Sequence, residues 1–221
     1  MSSSPVIQLL ILAAIAIFLL LRLRDVLGTR EGFEKPVVTR KGDERDARRD
    51  RFEVIDGGPD PDITDHVDDD SRAAAALTGM KQAEPSFSVG EFLGGARGAY
   101  EMILMAFEKG DLASIRPFLS DDVYETFAAV VEAREQKGLT IDSQFVGLRE
   151  LKLVGANFDT TTREGEVTVR YVGELTSVVR DKAGDIVEGN PNEVKRQKDV
   201  WTFARVMGSD NPNWQLVATG E

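Results

Sequence analysis

The chain predicts an α+β fold: helices packed on one face of a curved antiparallel sheet, preceded by an N-terminal transmembrane helix and a disordered linker. Three observations carry this. Apolar residues recur at steps of three and four from residue 88 to 136, and at steps of two from residue 141 onward. An unbroken apolar run stands near the start, at Val6–Leu21. Between them, residues 28–72 are rich in charge and lack apolar periodicity.

The apolar run is the first element. Val6, Leu10, Ile15, Phe18 and Leu21 belong to sixteen residues broken only by Gln8. Pro5 at the first turn and snorkelling Arg22 and Arg24 extend it to the length a bilayer needs, about 17–25 residues. Nothing basic precedes the run, whereas Arg22, Arg24 and Arg30 follow it. This is the reverse of a signal peptide's flank. By the positive-inside rule, those arginines stay at the cytoplasmic or matrix-side interface with the globular part. Residues 1–27 are therefore read as an uncleaved anchor that partners the lipid bilayer.

Residues 28–85 are read as a charged flexible linker. Acidic and basic side chains alternate from Arg40 to Glu53, and Gly57-Gly58-Pro59 and Asp68-Asp69-Asp70 follow. Four consecutive alanines allow a short helix over 72–83.

Residues 86–221 are read as the folded domain. Its spine is a helix from Ser88 to Gly110. Phe92, Ala96, Ala99, Ile103 and Phe107 form a stripe, widened by Leu93, Tyr100 and Leu104. Ser88 and Glu91 have capping-box spacing, Phe87 and Phe92 that of a hydrophobic staple, and Gly110 stands at the left-handed cap position. Gly94, Gly95 and Gly98 each weaken a lone helix by roughly 1 kcal/mol relative to Ala, which predicts close packing of another backbone there. Asp111 opens a short helix that ends near Phe118. Ser120 caps a further helix, buried through Val123, Phe127, Val130 and Val131 and ended by Gly138. Alternation then predicts strands over Ile141–Phe158, with a bend at Gly147 or Gly155, over Val167–Val179, over Val194–Met207 and over Trp214–Thr219.

Composition narrows the function. The 38 Asp+Glu outnumber the 27 Lys+Arg, which argues against nucleic acid as a partner. The chain has no Cys and one His, His66, in a charged low-complexity stretch, which leaves little for a histidine dyad, a metal cluster or a thiol nucleophile. No catalytic, cofactor or metal residues are assigned. The strand acids Asp142, Glu150, Glu174 and Asp199 are expected on the solvent face. Arg97 and Arg205 adjoin apolar stripes and suit a buried ion pair or a snorkelling stem. Tyr100, Ile103, Phe107, Phe127, Tyr171, Trp201 and Phe203 converge between spine and sheet. They form either a dense core or an apolar pocket for a lipid acyl chain or a partner's side chain.

The run EPSFSVGEFLGGARGAYEMILMAFEKGDLASIRPFLSDDVYETF, with KDVWTFARVMGSDNPNWQLVATGE at the end, resembles a known family. Its features are FLxGAR at Phe92–Arg97, AFxxGD at Ala106–Asp111, LSxxVYxxF at Leu119–Phe127, WTFxR at Trp201–Arg205 and WxL at Trp214–Leu216. They resemble the C-terminal domain of the mitochondrial inner-membrane import-motor adaptor and, with the anchor, its bacterial TimA-type relatives. The resemblance implies a nuclear-transport-factor-like cone of about three helices on a bent sheet. It also implies a non-enzymatic scaffold in protein translocation or membrane-protein assembly. The expected place is a bacterial inner membrane, single-pass, with the domain cytoplasmic, or matrix-side if mitochondrial. The expected partner is an unidentified membrane or translocation protein. The same cone also suits a membrane-tethered small-molecule enzyme or lipid-binding carrier, which stays open as the alternative.

Overall fold

The computed structural model describes residues 59–220. The anchor residues Val6, Leu10, Ile15, Phe18 and Leu21, the arginines Arg22, Arg24 and Arg30, and linker residues 28–58 lie outside the described residues. No described helix is long and apolar enough to cross a membrane. The helices are α1 (Pro61–Thr64), α2 (Arg72–Ala83), α3 (Val89–Lys109), α4 (Leu112–Ile115) and α5 (Asp121–Gln136), with a 3-10 turn at Arg116–Phe118. The strands are β1 (Thr140–Phe158), β2 (Glu164–Arg180), β3 (Ile186–Gly189), β4 (Lys195–Val206) and β5 (Gln215–Gly220).

Local signals set the ends of α3. Ser88 Oγ accepts from the Glu91 N–H at 3.3 Å, and Gly110 closes the helix at φ +76°. A carboxylate from another helix caps the same end. Asp62, on α1, accepts from the N–H of Val89 at 2.8 Å and of Gly90 at 3.0 Å. Phe87 and Phe92 meet through Trp214, whose ring lies 5.8 Å from the first and 4.7 Å from the second. The three glycines differ from expectation. Gly94, Gly95 and Gly98 are exposed, and a Cβ on any of them would meet no atom within 4 Å. No described backbone packs on them, so α3 is a half-buried helix with an open outer face.

The sheet is antiparallel, ordered β1-β2-β4-β5, with β3 paired to the far end of β2. Register slips between Phe145 and Gly147, Leu148 and Glu150, and Leu153 and Gly155 bend β1 around the helices. The inner face of β2 presents Val167, Val169 and Tyr171, and that of β4 presents Trp201 and Phe203, all buried.

Residues 59–85 add to this core. Ile63, Leu77 and Met80 are buried in the same apolar cluster as the spine. Gly79 gives close approach to the Phe158 ring, which a Cβ there would meet at 2.8 Å. The compact unit starts at Pro59 rather than near Ser86. Charge pattern alone does not signal this, because the buried side chains of α1 and α2 are few and spaced among exposed polar ones.

Candidate functional site

A cleft of about 330 Å³ opens between the first half of α3 and the β4–β5 end of the sheet. Helix α3 contributes Phe92, Ala96 and Ala99, with Gly95 leaving a gap in the wall. Strand β4 contributes Phe203 and Arg205, and the loop before β5 brings Trp214. Phe87, Phe118, Glu84 and Glu91 are among the other residues that line it. The walls are aromatic: Phe92 is edge-on to Phe203 at 6.1 Å and to Trp214 at 4.7 Å.

One ion pair lies in this apolar lining. Arg205 Nη2 bonds Glu84 Oε1 at 2.8 Å, and the Arg205 side chain is only 9% exposed. Glu84 Oε2 accepts from the Gly208 N–H at 2.6 Å. Burial pushes the Glu84 carboxyl up, but the bonds from Arg205 and Gly208 outweigh it and hold it below the usual carboxylate range. The Arg205 guanidinium lies over the Trp214 ring, 5.3 Å from its centroid. Arg205 Nε is buried and has no hydrogen-bond partner among the described residues.

The seven aromatic and aliphatic residues that the sequence groups do not form one site. Tyr100, Ile103, Tyr171, Trp201 and Phe203 are buried together. Tyr100 and Tyr171 stack at 4.3 Å, and Trp201 lies 4.8 Å from Tyr100. Their hydroxyls are engaged: Tyr100 donates to Asp199 Oδ2 at 2.5 Å and Tyr171 to the Ala96 carbonyl at 3.3 Å. Burial, and then the charge of Asp199, push both phenols upward. Asp199 thus faces inward, where the strand pattern placed it in solvent, because Tyr100 reaches it across the core. Phe107 and Phe127 pair at 4.4 Å, with Arg134 over the Phe107 ring at 4.3 Å and donating to the Phe107 carbonyl. Of the seven, Phe203 alone lines the cleft. Arg205 forms the expected buried pair, whereas Arg97 is exposed. Trp214, Phe92 and Phe87 were legible as staple and motif residues, but their meeting around a cleft depends on which loop folds over the helix.

The comparisons with known proteins identify the family. The Tim44-like domain family matches residues 73–221. The chain belongs to that family. It is 21% identical to the Arabidopsis thaliana mitochondrial import inner membrane translocase subunit TIM44-1, over 84% of this chain and 40% of that protein. It is 25% identical to the human TIM44 subunit, over 64% of this chain and 31% of that protein. The chain therefore spans less than half the length of these relatives. Among solved structures, the intermembrane-space region of the chloroplast protein ARC6 is similar at 13% identity, covering 56% of this chain and 88% of that one, with a TM-score of 0.38. Residues of three of the motif runs converge on the cleft: Phe92, Gly95 and Ala96 come from FLxGAR, Phe203 and Arg205 from WTFxR, and Trp214 from WxL.

Proposed function

We propose that this Tim44-like protein is a membrane-anchored, non-enzymatic adaptor in protein translocation or membrane-protein assembly. Its apolar segment Val6–Leu21 holds it in an inner membrane, and Arg22, Arg24 and Arg30 keep the folded part on the cytoplasmic or matrix side. The cleft receives an apolar group of a partner protein. The convergence of motif residues from three separate segments on one apolar cleft carries this reading. The relatives named as mitochondrial import translocase subunits support the pathway. A lipid acyl chain is the alternative occupant, since the same aromatic walls suit it.

The test places a photo-crosslinking residue at Gly95 in the full chain in native membranes. The expected product is a protein adduct that Ala99→Leu, which fills the cleft, abolishes without lowering the melting temperature. Lipid adducts alone would favour the carrier reading. Unchanged crosslinking in Ala99→Leu would remove the cleft from the function.

A further inference from the structure

The unpaired nitrogen of Arg205 says what else the occupant carries. The Arg205 side chain is nine-tenths buried, yet its hydrogen bonds among the described residues leave through Nη2, to Glu84 Oε1 at 2.8 Å and Met207 Sδ at 3.9 Å. Nε–H remains without an acceptor. Folded proteins leave few buried donors in that condition, and each one left calls for a reason.

Charge decides which acceptor fits. The charged cleft residues are Glu84, Glu91 and Arg205, a net of one negative charge. A carboxylate or phosphate entering beside them meets repulsion from both acids and competes with Glu84 for the guanidinium. A neutral carbonyl does neither. Space agrees with this. Gly95 has no side chain and its missing Cβ faces open space, so a polypeptide backbone can lie close against α3 at that point.

Resting on the cleft reading above, we propose that the occupant is a peptide segment of the partner, with one apolar side chain inserted among Phe92, Phe203 and Trp214. The neutral main-chain carbonyl beside that side chain accepts from Arg205 Nε–H. Arg205 Nε is buried, so the carbonyl reaches it as neighbouring side chains shift, and the Trp214 ring, 5.3 Å from the guanidinium, reports on that entry. Glu84 holds the guanidinium in place and deters anionic ligands.

Three probes sharing one phenyl ring test this: N-acetyl-phenylalanine methylamide, propylbenzene and 3-phenylpropionate. Each is titrated into the full chain in zwitterionic lipid nanodiscs, and binding is read from Trp214 fluorescence. Trp201 is buried outside the cleft and gives a constant background. The amide is expected to bind at least about ten-fold more tightly than propylbenzene, and phenylpropionate more weakly than the amide. Arg205→Lys keeps the charge for Glu84 and removes Nε. It should bring the amide down to the affinity of propylbenzene measured on the same variant. Equal binding of amide and hydrocarbon overturns the proposal but spares the cleft. Tightest binding of phenylpropionate overturns it in favour of anionic acyl chains. Binding of no probe overturns it together with the cleft reading. The comparison on the unaltered chain decides the matter even if Arg205→Lys fails to fold.

Discussion

Asp62 caps a helix that begins 27 residues after it, its carboxylate accepting from the Val89 N–H at 2.8 Å. Gly90 N–H and the Ser88 hydroxyl also donate to it, each at 3.0 Å, and Lys81 pairs with it at 2.8 Å. This carboxylate latches α1 to the free amides at the start of α3, where the helix dipole also favours negative charge. Asp62→Ala should cost about 1 kcal/mol, the usual worth of an N-cap. Chemical denaturation of the full chain, followed by Trp fluorescence, measures it. A change under a few tenths would show that Ser88 suffices as the cap.

The same latch gives a pH dependence. Burial raises the Asp62 carboxyl, but the bonds from Lys81, Gly90, Val89 and Ser88 outweigh it, and it ionises well below the usual carboxylate range. A folded pKa lower than the unfolded one means that the stabilisation is fully present at neutral pH. It is lost as pH falls below about 4 toward the folded value. Asp62→Asn should flatten the acid limb of stability against pH. An unchanged limb would assign acid sensitivity to other carboxylates.

The folding boundary follows from α1 and α2. A fragment from Pro59 should unfold cooperatively. One from Ser86 lacks Leu77 and Met80, which are fully buried, and should be at least about 3 kcal/mol less stable. Equal melting of the two fragments would return residues 59–85 to the linker.

Arg205 and Glu84 join β4 to the end of α2 inside an apolar wall. Glu84→Ala strands a buried guanidinium and should cost about 3–5 kcal/mol, whereas the double change Glu84→Leu with Arg205→Met should cost far less. Additive costs would mean that the two side chains do not act as a pair.

The open glycines on α3 make the opposite kind of prediction. Gly94→Ala and Gly98→Ala meet no neighbour and should each stabilise the domain by about 0.5–1 kcal/mol. A gain in stability with a loss of partner crosslinking would mark this face as a second contact surface.

The sequence by itself determined the elements whose signals are local. Ser88 and Gly110 bound α3, Ser120 starts α5, and the change of period from 3.6 to two separates helices from strands. Those signals are local because caps and left-handed residues act within one turn of chain. The motif runs likewise name the Tim44-like family from residue order alone. Tertiary structure decided the rest. Periodicity tells which face of α3 is buried but not what covers it, so Tyr100 and Trp201 joined the core while Phe92 and Trp214 came to line the cleft. Asp199 turned inward because its donor lies 99 residues away on α3. The capping of α3 by Asp62 and the pairing of Arg205 with Glu84 are contacts across the fold. No spacing along the chain encodes them, since each depends on where separate segments meet once the apolar surface is buried.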